Sequence, residues 1–351
     1  MRLFGANTSL GIDIGTTSIK IVELKYFQGK TELSNYGILE KYGHLERVND
    51  AIQTSSFKIL EESTALMIRD LLKTSKIDAK PAFMSLPAFN GFVVAVDFPQ
   101  MNPKELSKAV KLQAPQYIPM PINEITLDYQ VIEESQDYIK VLIMAVPTEI
   151  ITRYIKVAQL SKLDLKGLEL ESVAVARLLG LKEKGPAILV DIGGRATSIS
   201  VIDNGTLRQV RSIDTAGGDL TQVIATGLGI NPFRAEEIKK TYGLNIEYQG
   251  ELAILRLLTP LLDVITREVN KTINNYYLLT KRKIEKVFLT GGGANLLGIT
   301  DYYSKNLSLP VFKADPFSWG LISYPPKLAP IIAEIGPNLT TACAVAYNKI
   351  I

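Results

Sequence analysis

Alternation of apolar and polar positions predicts strands at residues 10–14, 19–27 and 31–39, a meander whose first tight turn lies between Ile14 and Ile19. The spacing then changes, and residues 61–74 read as a helix with Leu66, Leu71 and Leu72 among its apolar positions. Strands return at about 82–86 and 91–98. After them Asn102 can cap a helix, Pro103 fits its first position and Glu105 completes a capping box. Pro115, Pro119 and Pro121 interrupt the chain before two more strands near 125–132 and 138–146, and Thr148 is placed to cap a helix reaching about Ser161. Residues 98–165 thus hold strands and helices of their own and read as a compact insertion. Beyond them come a helix at 171–179 ending at Gly180 and a hairpin at 188–202. A helix opened by Asn231-Pro232 and stopped by Gly243 follows, then a long helical region at 251–281 containing Pro260. The last signals are a strand running from Val287 into a triple glycine with a helix after it, and a closing helix at 339–350 capped by Asn338.

One pattern occurs twice: LGIDIGTTSIKIVEL from Leu10 and ILVDIGGRATSISVI from Ile188. Each copy reads as strand, Asp-Ile-Gly turn, returning strand. Two such hairpins facing each other make a phosphate clamp, because glycine lets backbone N–H groups approach phosphate oxygens and Asp13 and Asp191 can hold a hydrated Mg²⁺ between them. Lys20, on the returning strand seven residues after Asp13, can aim an ammonium at the phosphates; as an ordinary strand residue it would face solvent. Gly291, Gly292 and Gly293 permit close backbone approach to an adenine face or α-phosphate, with the positive end of the following helix adding to the attraction.

Composition narrows the class. Of the 351 residues 46% are hydrophobic and 21% charged, which indicates a packed globular chain of two lobes or a few subdomains. The net charge of +3 is spread out, and its densest basic group, Lys281 to Lys283, reads as a solvated helix end, so no nucleic-acid partner is expected. A single cysteine, Cys343, excludes an internal disulfide and a cysteine-based zinc site, which suits the cytoplasm. The apolar runs are strand-length and the start has no secretory pattern, so no membrane span is expected and the residues MRLF read as a frayed end. His44, alone of its kind and in a polar stretch, reads as a surface residue.

The order of these motifs resembles that of the actin-like ATPase superfamily. Asp13, Gly15, Thr16, Thr17 and Lys20 resemble its first phosphate loop, Asp191, Gly193, Gly194 and Thr197 its second, and Gly291, Gly292, Gly293 and Ala294 its adenosine loop. AEEIK, from Ala235, resembles the helix whose residues flank the nucleoside, which implies Glu236 on the ribose and Lys239 on the base; a solvated helix face is the rival reading. Gly217 and Gly218 resemble the loop beside the nucleotide. Glu171 falls 20 residues before Asp191, where related ATPases place a carboxylate that orients the attacking water, yet ELESVAVA reads equally well as a helix start with an acidic first turn. The resemblance implies an α/β chain with the actin-like ATPase fold of duplicated ribonuclease H-like lobes, an FtsA-like inserted α+β subdomain in the first lobe, and ATP and Mg²⁺ as ligands. On this reading residues 1–97 and 166–187 form the first lobe, 98–165 the insertion and 188–337 the second lobe, with a helix at 338–351 packing back on the first.

Over its whole length the chain resembles the PilM family, cytoplasmic actin-like proteins of type IV pilus assembly. AVKLQAPQYIPMPINEITLDYQVI, from Ala109, has the family's pattern of helix, aromatic, IP-x-P and acidic-aromatic strand, and VLIMAVPTEIITRYI, LDLKGLELESVAVAR and IGPNLTTACAVAY continue it. The resemblance implies ATP binding with hydrolysis slow at most. It also implies docking of the N-terminal cytoplasmic tail of a PilN-like single-span inner-membrane protein in a groove between first lobe and insertion, contacts with other pilus components, and a peripheral place at the inner face of the inner membrane. Homo-oligomer formation and the choice between pilus, secretion and competence machines stay open. Arg195 departs from the superfamily by standing where many members have a third glycine, its side chain directed either to solvent or to phosphate. Two rivals remain. An FtsA-like filament protein would be expected to end in an amphipathic membrane helix, whereas this sequence ends Asn348-Lys349-Ile350-Ile351. A small-molecule kinase would need a catalytic base, and neither Asp97 nor Asp128 sits in a kinase-like motif.

Overall fold

The structure is a computed structural model that describes residues 7–40, 61–78, 81–245 and 249–347; His44, the MRLF segment and residues 348–351 lie outside them. The first sheet begins with the expected meander, β1 (Asn7–Ile14), β2 (Ser18–Phe27) and β3 (Lys30–Glu40), followed by α1 (Glu61–Thr74) and β4 (Pro81–Leu86), which pairs parallel to β1. Leu10, Ile12, Ile19, Ile21 and Leu24 are fully buried, so the meander is inserted into the core, with α1 covering it through Ile68 and Leu71. Leu66 is the exception among the expected apolar positions of α1: it faces out, half exposed.

After β4 the chain leaves this sheet. β5 (Phe92–Pro99), α2 (Pro103–Gln113), β6 (Ile125–Glu134) and β7 (Tyr138–Pro147) build a separate three-stranded sheet ordered β5-β7-β6 around Val96, Phe98, Leu106, Val110, Ile139, Val141 and Ile143. Asn102 and Glu105 form the capping box of α2, each bonding the other's backbone N–H. Strand pairing therefore draws this unit differently from the expected 98–165. β5 belongs to it from Phe92, whereas α3 (Thr148–Leu160) packs on α1 and β8 (Asp164–Leu170) joins β4 in the first sheet. Thr148 is also not a cap: Pro147 holds that position, and the Thr148 hydroxyl pairs with the Thr126 hydroxyl on the neighbouring strand, 3.2 Å away.

α4 (Glu171–Leu179) leads to the second copy of the fold, β9 (Ala187–Ile192), β10 (Thr197–Asp203), β11 (Thr206–Ile213), α5 (Gly217–Leu228), α6 (Pro232–Tyr242), α7 (Gln249–Thr280), β12 (Lys286–Thr290), α8 (Ile299–Leu307) and β13 (Val311–Lys313). Its order, β11-β10-β9-β12-β13, repeats β3-β2-β1-β4-β8: an antiparallel meander followed by two parallel strands. In each copy the Asp-Ile-Gly turn sits at the carboxyl end of the central strand, where open α/β sheets place their ligands.

The closing helix starts earlier than its sequence suggests. α9 runs Ile332–Tyr347, so Pro337 and Asn338 lie inside it and Asn338 caps nothing. A proline normally ends the preceding turn because it lacks an N–H. Here tertiary contacts hold that turn: Ile332 is buried, and the Asn295 side chain donates to the Glu334 carbonyl at 2.9 Å. α9 lies on β1, β2, β4 and α4, and it crosses β1 so closely that a Cβ on Gly11 would come within 1.9 Å of the Ala342 carbonyl oxygen. Gly11→Ala is accordingly expected to cost about 1–3 kcal/mol by overpacking, measured as a lowered urea midpoint; unchanged stability would mean that α9 is not seated there.

Candidate functional site

The two Asp-Ile-Gly turns meet tip to tip. In the first, Gly15 N–H donates to the Ser18 carbonyl at 2.9 Å; in the second, Gly193 N–H donates to the Ala196 carbonyl at 3.1 Å. A Cβ on Gly194 would sit 2.2 Å from Thr17 Cγ2, so glycine is what allows the tips to touch. The start of α5 stands on the second tip, with Gly217 and Gly218 donating to the carbonyls of Gly193 and Gly194 at 2.9 Å each. Around the tips opens a cavity of about 660 Å³, within the range of small-molecule sites. Its wall includes Asp13, Gly15, Thr16, Thr17, Lys20, Glu171, Asp191, Gly193, Gly194, Gly217, Gly218, Glu236, Lys239, Gly291, Gly292 and Gly293.

Two of the expected positions are not on that wall. Thr197 is fully buried at the start of β10, where its hydroxyl donates to the Thr215 carbonyl at 2.7 Å, and Ala294 is fully buried in the second-lobe core. Both belong to the scaffold because the chain has already turned away from the cavity. The triple glycine also runs into a short 3-10 turn, Gly292–Asn295, with α8 starting only at Ile299, so no α-helix begins directly after it. Gly291 has a positive φ of 78°, and a Cβ there would lie 2.3 Å from Asp191 Oδ1. The triple glycine and the second Asp are therefore packed against each other.

Charge concentrates on the cavity floor. Asp13 accepts from the Ser85 hydroxyl at 2.7 Å through Oδ1 and from Lys20 Nζ at 3.2 Å through Oδ2. The register of the hairpin brings this about, since Asp13 and Lys20 are directly opposite across β1 and β2. Burial pulls the Lys20 ammonium down, but attraction to Asp13, aided by Asp191 and Glu171, outweighs it and leaves Lys20 raised. Burial and repulsion from Asp13 push Asp191 up to about 6. Burial, then repulsion from Asp191 and Asp13, raises Glu171 well above the usual carboxylate range, opposed by a 2.9 Å bond from Ala88 N–H to Oε1. Three carboxylates and one ammonium thus interact across the cavity floor.

The far wall comes from α6. Lys239 Nζ reaches Glu236 at 2.6 Å, Thr221 Oγ1 at 2.7 Å and the Gly217 carbonyl at 2.9 Å, while the Thr221 hydroxyl also donates to Glu236. Burial lowers Lys239, with Glu236 opposing it; Glu236 is lowered as well, since Lys239 and Thr221 outweigh its burial. The pair is built into the cavity wall and is no solvated helix face. At the mouth, Lys240 joins Glu40 of β3 at 3.2 Å, an ion pair between the two lobes. Sequence reasoning gave no site role to Ser85, Phe89, Thr221 or Asn338; only the fold brings Phe89, Thr221 and Asn338 to the cavity wall and Ser85 onto Asp13.

Among the described residues no three carboxylate, histidine or cysteine groups are arranged to hold an ion directly, and both Asp13 oxygens already accept hydrogen bonds. Also among the described residues, no helix is long and apolar enough to cross a membrane.

Several known proteins are similar to this chain in sequence or in fold. The cell division protein FtsA of Staphylococcus epidermidis is 21% identical over 94% of this chain and 78% of its own length. The solved structure of EutJ, an ethanolamine utilization protein from Carboxydothermus hydrogenoformans, superposes with a TM-score of 0.58 at 20% identity over 98% of this chain and 90% of that one. A structure described as the PilM-PilN type IV pilus biogenesis complex superposes with a TM-score of 0.84 at 22% identity, covering 98% of both chains. These likenesses establish the actin-like ATPase fold. The family described as type IV pilus assembly protein PilM matches residues 11–349, and the chain belongs to that family.

Proposed function

We propose that the protein is an ATP-binding scaffold of type IV pilus assembly, or of a related secretion or competence machine, working in the cytoplasm against the inner face of the inner membrane. The observation that carries the nucleotide reading is the tip-to-tip contact of the two glycine turns above a floor of Asp13, Lys20 and Asp191. The glycine turns let phosphates approach the backbone closely, Lys20 adds a point charge, and Asp13 and Asp191 would hold Mg²⁺ between them through water. Glu236 takes the ribose and Lys239 the base, with Gly291 to Gly293 against the adenosine. Glu171, raised above the usual carboxylate range by burial and by Asp191 and Asp13, would orient water in a hydrolysis that is slow at most.

The partner follows from family membership and from the likeness to a chain whose structure is described as a complex with PilN. A short cytoplasmic tail of a PilN-like single-span protein would dock between the first lobe and the three-stranded unit, and Leu112, Tyr117 and Ile122, exposed apolar residues of that unit, are the candidates to meet it. A labelled peptide of that tail, titrated with the full chain, should bind with a Kd in the micromolar range or tighter, about −8 kcal/mol, and Leu112→Asp with Tyr117→Ala should weaken it at least fivefold. Failure of the wild-type chain to bind the tail with or without Mg-ATP would overturn the scaffold reading. Filaments sedimenting with Mg-ATP would favour the FtsA-like alternative instead.

A further inference from the structure

At the end of β9 opposite its glycine turn, three connections of the second lobe meet. The segment between α4 and β9, the β10–β11 turn and the segment between α7 and β12 are tied together by hydrogen bonds from Asn204 N–H to the Lys184 carbonyl at 3.0 Å and from Glu285 N–H to the Pro186 carbonyl at 2.9 Å. These connections and the strand residues flanking them carry Lys182, Lys184, Lys281, Arg282, Lys283 and Lys286, which outnumber Glu183, Asp203 and Glu285 two to one. Arg282 reaches Asp203 at 2.9 Å and Lys286 reaches Glu183 at 2.8 Å. Among the described residues, Lys182, Lys184, Lys281 and Lys283 pair with no carboxylate. The basic group that the sequence alone presents as a solvated helix end is thus part of a wider basic face gathered by the fold. The last turn of α7 adds apolar surface to it. Tyr276 turns inward, where its hydroxyl bonds Asp203, and this fixes the rotation of the helix so that Leu278 and Leu279 point outward, 64% and 81% exposed. Leu181, directly before Lys182, is exposed as well.

We propose that this face lies against the surface of an anionic bilayer, with Leu278 and Leu279 entering the acyl boundary and the surrounding lysines meeting lipid phosphates. Burial of the leucines and attraction of the lysines to a negative surface act in the same direction, and lysine stems can lie along the apolar boundary while their ammonium groups stay at headgroup level. A bilayer accepts projecting side chains without a matching pocket, whereas a folded partner would have to supply both a pocket for the leucines and acidic groups for the lysines. The proposal is independent of what fills the cleft. The face is also continuous with the three-stranded unit, because the Asp203 carbonyl accepts from Arg208 Nε at 3.3 Å and Arg208 pairs with Glu133 of β6 at 3.1 Å. Lipid contact would therefore add to the docking of a membrane-anchored tail at that unit, two weak attachments reinforcing each other.

Co-sedimentation of the full chain with vesicles of phosphatidylcholine, with or without about 30% phosphatidylglycerol, tests this. Wild type should bind the anionic vesicles at least about tenfold more tightly than the neutral ones, and raising the salt from about 0.1 M to about 0.5 M should weaken that binding about fivefold or more. Lys281→Gln with Lys283→Gln should weaken it at least about tenfold, since each basic residue at an anionic surface contributes about a fivefold factor. Leu278→Ser with Leu279→Ser should do the same through lost apolar burial, by about tenfold. Arg282 is left in place because it pairs with the buried Asp203. Unchanged melting of the variants establishes that they are folded, and unchanged titrations with Mg-ATP and the tail peptide keep this proposal separate from the cleft and tail readings. Wild type that ignores anionic vesicles, or variants that bind them as wild type does, would overturn the proposal. Concentration-dependent dimers abolished by the leucine variants, without vesicle binding, would assign the face to a second copy of the chain instead.

Discussion

Asp13→Ala should weaken Mg-ATP binding at least tenfold, or about 1.4 kcal/mol, and at the same time lower the stability of the nucleotide-free protein. Both effects come from the same carboxylate. On the cavity side it positions Lys20 and carries one of the two charges available to hydrated Mg²⁺. On the core side it accepts from Ser85, which is only 1% exposed, and alanine would leave that hydroxyl without a partner at a cost of about 1–3 kcal/mol. Relief of repulsion on Asp191 and Glu171 offsets part of this loss, because Asp13 contributes to raising both. Asp13→Asn, which keeps an oxygen for Ser85, should retain most of the stability and still lose nucleotide. Calorimetry with Mg-ATP and chemical unfolding without it separate the two effects; affinity unchanged in both variants would remove the paired-aspartate clamp.

The second large effect has the opposite sign for stability. Asp191 has a folded-state pKa of about 6 against an ordinary value of 3.8, so between these values the folded protein holds a proton that the unfolded chain has lost. Stability from this group is fully present below about pH 4, is lost as the pH rises through 6, and stays lost above, a difference on the order of 3 kcal/mol. Asp191→Asn should therefore be more stable than wild type at pH 7.5 in the presence of EDTA, with the two curves converging toward pH 4. The same variant should lose at least tenfold in Mg-ATP affinity, because the repulsion it relieves is what a hydrated cation would otherwise neutralise. Equal stability of the two proteins across pH 4 to 8 would show that Asp191 is not held in this floor. A ligand that neutralises this repulsion would stabilise the folded protein in proportion to its affinity.

Much of the site was legible because its chemistry is local. Asp13, Gly15 and Lys20 lie within one hairpin, and hairpin register alone puts Asp13 opposite Lys20. Gly193, Gly194 and the triple glycine announce close backbone approach by having no side chain. The α6 pair was ambiguous, since Glu236 and Lys239 at i, i+3 look the same on a solvated face; only the position of α6 beside α5 makes them a cavity wall. Thr197 and Ala294 were assigned from motif position, and their burial shows that proximity in sequence does not say which way a side chain points. Asn338 failed in a different way. Proline and asparagine mark a helix start by local preference, but contacts from Asn295 and the buried Ile332 carry the helix one turn further back.

The sequence by itself determined the duplicated strand-turn-strand units, the capped helices and the type of ligand its glycines and aspartates could receive, because each depends on residues a few positions apart. Only the tertiary structure decided what those units do together. It brought Gly194 against Thr17 across some 177 residues of chain, placed Ser85 under Asp13 and Phe89 under Arg195, and gathered three carboxylates around one lysine. Contacts of that separation arise from which sheet faces bury against which helices, and no local pattern encodes them.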